Sequence, residues 1–335
     1  LRIAVDAMGG DNAPSEIVKG AVMAAEELGI RVLLLGDESR LREEVQETAK
    51  LRIVHAGEVI GMSESPVSAV RRKKESSIVK AVQMVKDGMA EGVVSAGHTG
   101  ATMAAGLLIL GRIRGVERPA LVGMIPHLTG CTVLLDVGAN VDCRPSHLLQ
   151  FAVMGSKYAE KGLGIVLPRV GLLSNGEENS KGNEQTLAAY PLLERAPIHF
   201  IGNVEGRDLF NGRVDVVVCD GFIGNIVLKT GEGLAKAFSS MIKKQLAASW
   251  MAKMSAVAAA HTLRDIRRRF DYSEYGGVPL LGVNGVVVVS HGSSKAKAIK
   301  NAIGIAAEAS RLNLAQTIGE GIGEVFVKGA GTVHA

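Results

Sequence analysis

The chain has 335 residues, 47% hydrophobic and 21% charged, with 41 glycines and only 4% aromatics. This composition implies a globular protein with a large core of small and branched aliphatic side chains. The net charge of +4 is too mild to signal nucleic-acid binding, and Cys131, Cys143 and Cys219 have neither disulfide-framework nor metal-site spacing. That cysteine usage predicts a reducing, cytoplasmic setting, and no apolar run reaches the ~18–20 residues of a bilayer span.

The first predicted element is a strand at 3–5, running into Asp6-Ala7-Met8-Gly9-Gly10-Asp11-Asn12-Ala13-Pro14. Ile17, Val18, Ala21, Val22 and Ala25 then give helical spacing over 15–28. A strand, a glycine turn and a helix start present unpaired backbone N–H groups together, which suits an anion. The same junction recurs along the chain. Further strands are predicted at 32–35, 51–54, 92–95, 120–124, 132–136, 169–173, 198–201, 214–218 and 286–289. Further helices are predicted at 38–48, 76–90, 100–110, 146–160, 183–194 and 295–313. This alternation predicts a mostly parallel sheet covered on both faces, with ligands at the carboxyl ends of its strands. No linker or repeat interrupts it, so 1–335 reads as one two-lobed α/β catalytic domain with a cleft.

Five strand-end loops carry the candidate chemistry. Loop 6–14 holds Asp6, Gly9, Gly10 and Asp11, and loop 94–101 holds Ser95, Gly97, His98, Thr99 and Gly100. Loop 135–142 holds Asp136 and Asn140, loop 173–184 holds Lys181 and Asn183, and loop 219–225 holds Asp220, Gly221 and Asn225. Any one of these also reads as a structural turn. Five at strand carboxyl ends point to a shared cleft. A Walker-type loop, a zincin His-Glu pair, a Gly-x-Ser-x-Gly elbow and a dinucleotide fingerprint are all absent from the sequence. That counts against an ATPase, a metalloprotease, a serine hydrolase and a conventional nicotinamide enzyme.

Residues 239–271 interrupt the alternation, with seven Lys or Arg against two Asp. Ile242, Leu246, Trp250, Met254 and Val257 form an apolar stripe at helical spacing, so the segment reads as a basic amphipathic helix or helical hairpin. Such a helix either packs in a dimer or rests on anionic lipid, with Trp250, Met251, Met254 and Val257 entering the interface. Arg71, Arg72, Lys73 and Lys74 form a second basic run, either solvated or able to dock an acidic protein.

The motifs together resemble the bacterial PlsX family. Asp-Ala-Met-Gly-Gly-Asp-x-Ala-Pro at 6–14, Ala-Val-Arg-Arg-Lys-Lys at 69–74 and Ser-Ala-Gly-x-Thr-Gly-Ala at 95–101 carry the likeness. So do Leu-Asp-Val-Gly-Ala-Asn-Val-Asp at 135–142, Lys-Gly-Asn-Glu at 181–184, Ile-Gly-Asn-Val-Glu-Gly-Arg-Asp at 201–208 and Asp-Gly-Phe-Ile-Gly-Asn at 220–225. Tyr275-Gly276-Gly277 and His291-Gly292-Ser293-Ser294 complete it, so the likeness covers nearly the whole chain. It implies an α/β/α sandwich, Rossmann-like, of the isocitrate/isopropylmalate dehydrogenase-like type, usually as a homodimer. It also implies conversion of long-chain acyl–acyl carrier protein and inorganic phosphate to acyl phosphate and free carrier protein. A membrane glycerol-3-phosphate acyltransferase would use that product. No metal, cofactor or nucleic acid is implied, and the expected location is the cytoplasm with peripheral membrane contact. The runner-up is an NAD-dependent decarboxylating dehydrogenase of the same fold.

For that reaction Lys181, His98, Asn183 and Asn225 are the expected catalytic residues. Phosphate is expected on Ser95, Gly97, Thr99 and Gly100, assisted by Lys181, and Asn203 is expected to donate to the thioester carbonyl. Asp6, Gly9, Gly10, Asp11, Asp220 and Gly221 are expected to line the site, with the acids fixing loops because carboxylates repel phosphate. Cys219 is expected to pack rather than attack, so transfer would be direct. The family pattern commonly has His at the position of Asn12 and Asn at that of His98, which predicts that these two side chains face each other.

Overall fold

The computed structural model describes residues 1–127, 129–247 and 276–330. Short runs rich in Val, Leu and Ile form strands β1 (Arg2–Asp6), β2 (Arg31–Gly36), β3 (Leu51–His55), β4 (Gly92–Ser95) and β5 (Ala120–Leu121). They continue with β6 (Gly123–His127), β7 (Gly130–Leu135), β8 (Arg169–Leu173), β9 (His199–Val204), β10 (Val216–Val218), β11 (Val278–Leu281) and β12 (Val286–Val289). The predicted single sheet is in fact two. One has seven strands in the order β3-β2-β1-β4-β12-β11-β5, the other five in the order β6-β7-β10-β8-β9. Pairing is parallel except at β11 and β6. The predicted strand at 120–124 is the crossing point. Leu121 pairs in the first sheet and Gly123 in the second, while the Val122 N–H bonds to the Pro279 carbonyl at 3.2 Å.

The helices are α1 (Ser15–Glu27), α2 (Glu38–Glu44), α3 (Pro66–Arg72), α4 (Ser77–Lys86) and α5 (Thr99–Ala105), which runs into a π-helical turn at Gly106–Leu110. After them come α6 (Pro145–Gly162), α7 (Glu184–Glu194), α8 (Gly221–Ala247), α9 (Ala296–Arg311) and α10 (Leu314–Ala330). Strand alternation decides which face meets which helices. Ile3, Val5, Val94 and Val288 face a core shared with α1, α6 and α9, whereas Ala4, Val93 and Val287 face α3, α4 and α5. The first core also takes Val133, Leu135, Val216 and Val218, so it ties both sheets together. Full burial of one such side chain contributes about 1.5–3 kcal/mol, enough that a register slip of one residue is strongly disfavoured.

α8 starts at Gly221, well before the basic segment predicted at 239–271, and is described to Ala247. Trp250, Met251, Met254 and Val257 lie outside the described residues. Among the described residues no helix is long and apolar enough to cross a membrane.

Candidate active site

The carboxyl ends of β1 and β4 are adjacent, with Asp6 in register with Ser95. The Ser95 hydroxyl donates to the Asp6 carboxylate at 2.7 Å and accepts the Gly97 N–H at 3.0 Å. Its proton is therefore committed, and Ser95 shapes the turn instead of meeting phosphate. Burial raises the Asp6 carboxyl above its ordinary value despite donors from Ser77, Ser95 and the Met8 and Gly9 backbone. Gly9 lies against Gly97: a Cβ on Gly9 would stand 2.4 Å from the Asp6 carboxylate and 2.8 Å from the Gly97 Cα. Only glycine allows loops 6–14 and 95–100 this approach. Beyond them the Asp11 N–H bonds to the Gly292 carbonyl at 2.8 Å, tying in loop 290–294, and Gly10 lies within the same junction.

Asn12 donates its amide to the Ser293 and Ser294 carbonyls at 3.2 and 3.4 Å. His98 is half-buried at the start of α5, where its ring lies beside Gly100. No hydrogen bond joins Asn12 to His98 among the described residues.

The second sheet builds the opposing wall. Asp136, fully buried at the end of β7, accepts from the N–H groups of Leu121, Ala139 and Asn140 at 2.9, 3.1 and 2.6 Å, and burial raises its carboxyl. The Gly221 N–H donates to the Asn140 carbonyl at 2.7 Å, and Asp220 accepts from the Ile223 N–H at 2.8 Å, so these two residues seat the start of α8. Burial likewise raises the Cys219 thiol well above its ordinary value and pushes Cys143 up to about 12, which disfavours a thiolate nucleophile at either.

Loop 174–183 closes the end of β8. Asn203, buried on β9, donates to the Glu178 carbonyl at 2.7 Å and to the Lys181 carbonyl at 3.5 Å. Its donors support the loop, which corrects the expectation that they serve a thioester carbonyl. The Asn203 Oδ1 is buried without a partner. Asn183 caps α7 by accepting the Thr186 N–H at 2.9 Å, so its oxygen is likewise committed to the fold. Lys181 is exposed on this loop.

Between the walls lies a cleft of about 220 Å3 that brings Thr99 of the first wall together with Asn225 of the second. Lys229, Glu232, Ser290 and His291 also line it, whereas Lys181 does not. Lys229 forms an ion pair with Glu232 at 3.0 Å. Lys229 is not among the residues expected from the sequence, although it stands four residues after Asn225 and so on the same helix face. The result is the Thr99 hydroxyl facing an amide and an ion-paired ammonium across one cleft, which can hold an anion beside a polarised carbonyl.

The basic run at 71–74 lies close to this site. α3 packs on α5, and a Cβ on Gly100 would stand 2.8 Å from the Pro66 ring. Arg71, Arg72 and Lys74 are exposed, whereas Lys73 is held by Glu64 and by the Val59 carbonyl, each at 2.7 Å.

The chain is similar to known proteins along nearly its whole length. The family model described as "Fatty acid synthesis protein" matches residues 1–317. A phosphate acyltransferase of Desulforudis audaxviator is 61% identical, covering 99% of each chain. Another from Pelotomaculum thermopropionicum is 59% identical over 99% of this chain and 98% of its own. Among solved structures, a phosphotransacetylase from Streptococcus pyogenes aligns with a TM-score of 0.63 at 18% identity, covering 93% of this chain and 94% of its own. A branched-chain phosphotransacylase from Enterococcus faecalis aligns with a TM-score of 0.58 at 16% identity, covering 92% and 99%. These structures share the mixed α/β fold with parallel sheets.

Proposed function

The chain belongs to the PlsX family of phosphate acyltransferases, and on that premise we propose that the cleft between Thr99 and Asn225 is where phosphate meets the acyl thioester. The reaction is acyl transfer from acyl–acyl carrier protein to inorganic phosphate, an early step of phosphatidic acid synthesis; the relatives do not favour the dehydrogenase alternative. The pairing of Thr99 with Asn225 in one cleft carries the reading of the site.

Phosphate is already an anionic nucleophile near neutral pH, so positioning and charge stabilisation dominate. The 97–100 turn and the Thr99 hydroxyl hold it, and the buried Ser95–Asp6 pair fixes that turn. A phosphate oxygen attacks the carbonyl carbon, and Asn225 with Lys229 stabilises the oxyanion. The carbon–sulfur bond then breaks, and His98 supplies a proton to the departing thiolate. Lys181 remains the second cation for phosphate, from the edge of the second wall.

The exposed Arg71, Arg72 and Lys74 beside α5 suit an acidic carrier protein, whose thioester arm would enter next to Thr99. Phe222, Ile226, Leu234, Phe238 and Met241 are exposed along α8, which supports a homodimer. The basic segment 239–271, with its apolar stripe through Trp250, and the amphiphilic product support peripheral contact with the inner membrane face, close to a membrane glycerol-3-phosphate acyltransferase. The chemistry is tested by trapping with hydroxylamine. Phosphate and the protein together should raise acyl hydroxamate formation well above the direct reaction of hydroxylamine with the thioester; a rate that phosphate does not change contradicts the reading.

A further inference from the structure

A second cavity, of about 420 Å3, adjoins the cleft and shares Met124 and Gly277 with it. Its walls come from the end of α6 with Tyr158 and Leu163, the end of α9 with Ile305 and Leu312, and the start of α10 with Leu314. Asn301 and Glu308 also line it, and Glu308 pairs with Arg311 at an exposed position. Its volume lies in the ~300–1,000 Å3 range of small-ligand sites. The half-buried Met124 stands at the junction, and an unbranched thioether side chain repacks easily around a passing ligand. The hydroxyl, amide and ammonium groups of the cleft therefore stand next to a largely aliphatic chamber, with Met124 and Gly277 common to both.

An acyl thioester has the same polarity profile. We infer that its hydrocarbon tail runs from the cleft past Met124 into this chamber, whose depth sets the preferred acyl length. The inference rests on the phosphate acyltransferase reading above. It assigns an occupant because the chamber adjoins the cleft at Met124 and Gly277 and because its wall is mostly apolar.

Gly304 of α9 offers the cleanest test, since it lines the chamber and a Cβ there would stand 3.3 Å from the exposed Leu28 side chain, which can yield. The full-length protein is assayed at saturating phosphate with octanoyl- and palmitoyl-acyl carrier protein. Gly304→Leu should lower the palmitoyl-to-octanoyl ratio of kcat/KM by about tenfold or more, because each methylene displaced into water is worth about fourfold. Met124→Trp, which narrows the junction instead, should move the ratio the same way and covers the case in which Gly304→Leu does not fold. A ratio within twofold of the unmodified protein in every folded variant overturns the assignment, including when both substrates lose activity equally. If the unmodified protein consumes neither substrate with phosphate, the activity reading itself has failed, and that result is distinct from an unmoved ratio.

Discussion

The Ser95 hydroxyl donates to the Asp6 carboxylate across two neighbouring strand ends at 2.7 Å while accepting the Gly97 N–H at 3.0 Å. One small side chain thus satisfies a buried acid and anchors the first turn of the site. Ser95→Ala should destabilise the protein by about 1–3 kcal/mol, since it strands a buried acceptor and an N–H group. It should also raise the KM for phosphate, as the 97–100 turn loses its anchor. Thermal unfolding and phosphate titration check both; an unchanged melting temperature contradicts this role.

Thr99 and Asn225 should separate kinetically. Thr99→Val removes a phosphate ligand and should raise the phosphate KM about tenfold with a smaller effect on kcat. Asn225→Ala removes an oxyanion donor and should lower kcat by about 10²-fold. Steady-state kinetics with both substrates varied measures the split, and equal effects on the two parameters would reject the division of labour.

The two lysines make a direct comparison. Lys229 lines the cleft and Lys181 does not, so Lys229→Ala should cost more kcat than Lys181→Ala. If Lys181 nonetheless swings onto phosphate, its alanine variant should lose about 10²-fold or more. Near-unaltered turnover in Lys181→Ala removes it from the mechanism.

Acid sensitivity should be traceable to Asp215. Burial opposes ionisation there, yet the Arg169 side chain, bound through two contacts of 2.9 Å, and the Arg169 N–H at 2.8 Å hold its carboxyl below the ordinary range. A depressed carboxylate stabilises the fold above its unfolded value, and that stability is lost as pH falls through the folded one. Asp6 has the opposite sign: its raised carboxyl makes stability fall as pH rises from its unfolded value through its folded one. Asp215→Asn should therefore flatten the acid limb of the stability curve and Asp6→Asn the decline on the higher-pH side. Denaturant midpoints between pH 3 and 8 record the outcome.

Most strands of the parallel regions were legible because Val- and Leu-rich runs ending in polar glycine loops leave few other readings. The division into two sheets was not, since 120–124 is one apolar run whose break at Val122 depends on a hydrogen bond to the distant Pro279. β11 escaped because it contains Pro279 and is flanked by Gly277 and Gly282, and α3 because it is short and starts at Pro66. In the site, the residue types were visible but their occupation was not. Ser95, Asn183 and Asn203 look like ligand donors in a one-dimensional pattern, yet Ser95 spends its hydroxyl on Asp6, Asn183 its oxygen on the Thr186 N–H and Asn203 its amide N–H groups on loop carbonyls. Lys229 was missed because it sits inside a helix, away from the glycine loop that draws attention.

The central claim is that phosphate itself attacks the thioester in the Thr99–Asn225 cleft. The most direct measurement is thiol release from palmitoyl-acyl carrier protein by purified protein, titrated with inorganic phosphate, without nucleotide and in the presence of a chelator. The account predicts saturable thiol release with no measurable rate at zero phosphate, and half-saturation at about tenfold higher phosphate in Thr99→Val. Thiol release that proceeds without phosphate, or only when a nucleotide is added, would contradict it.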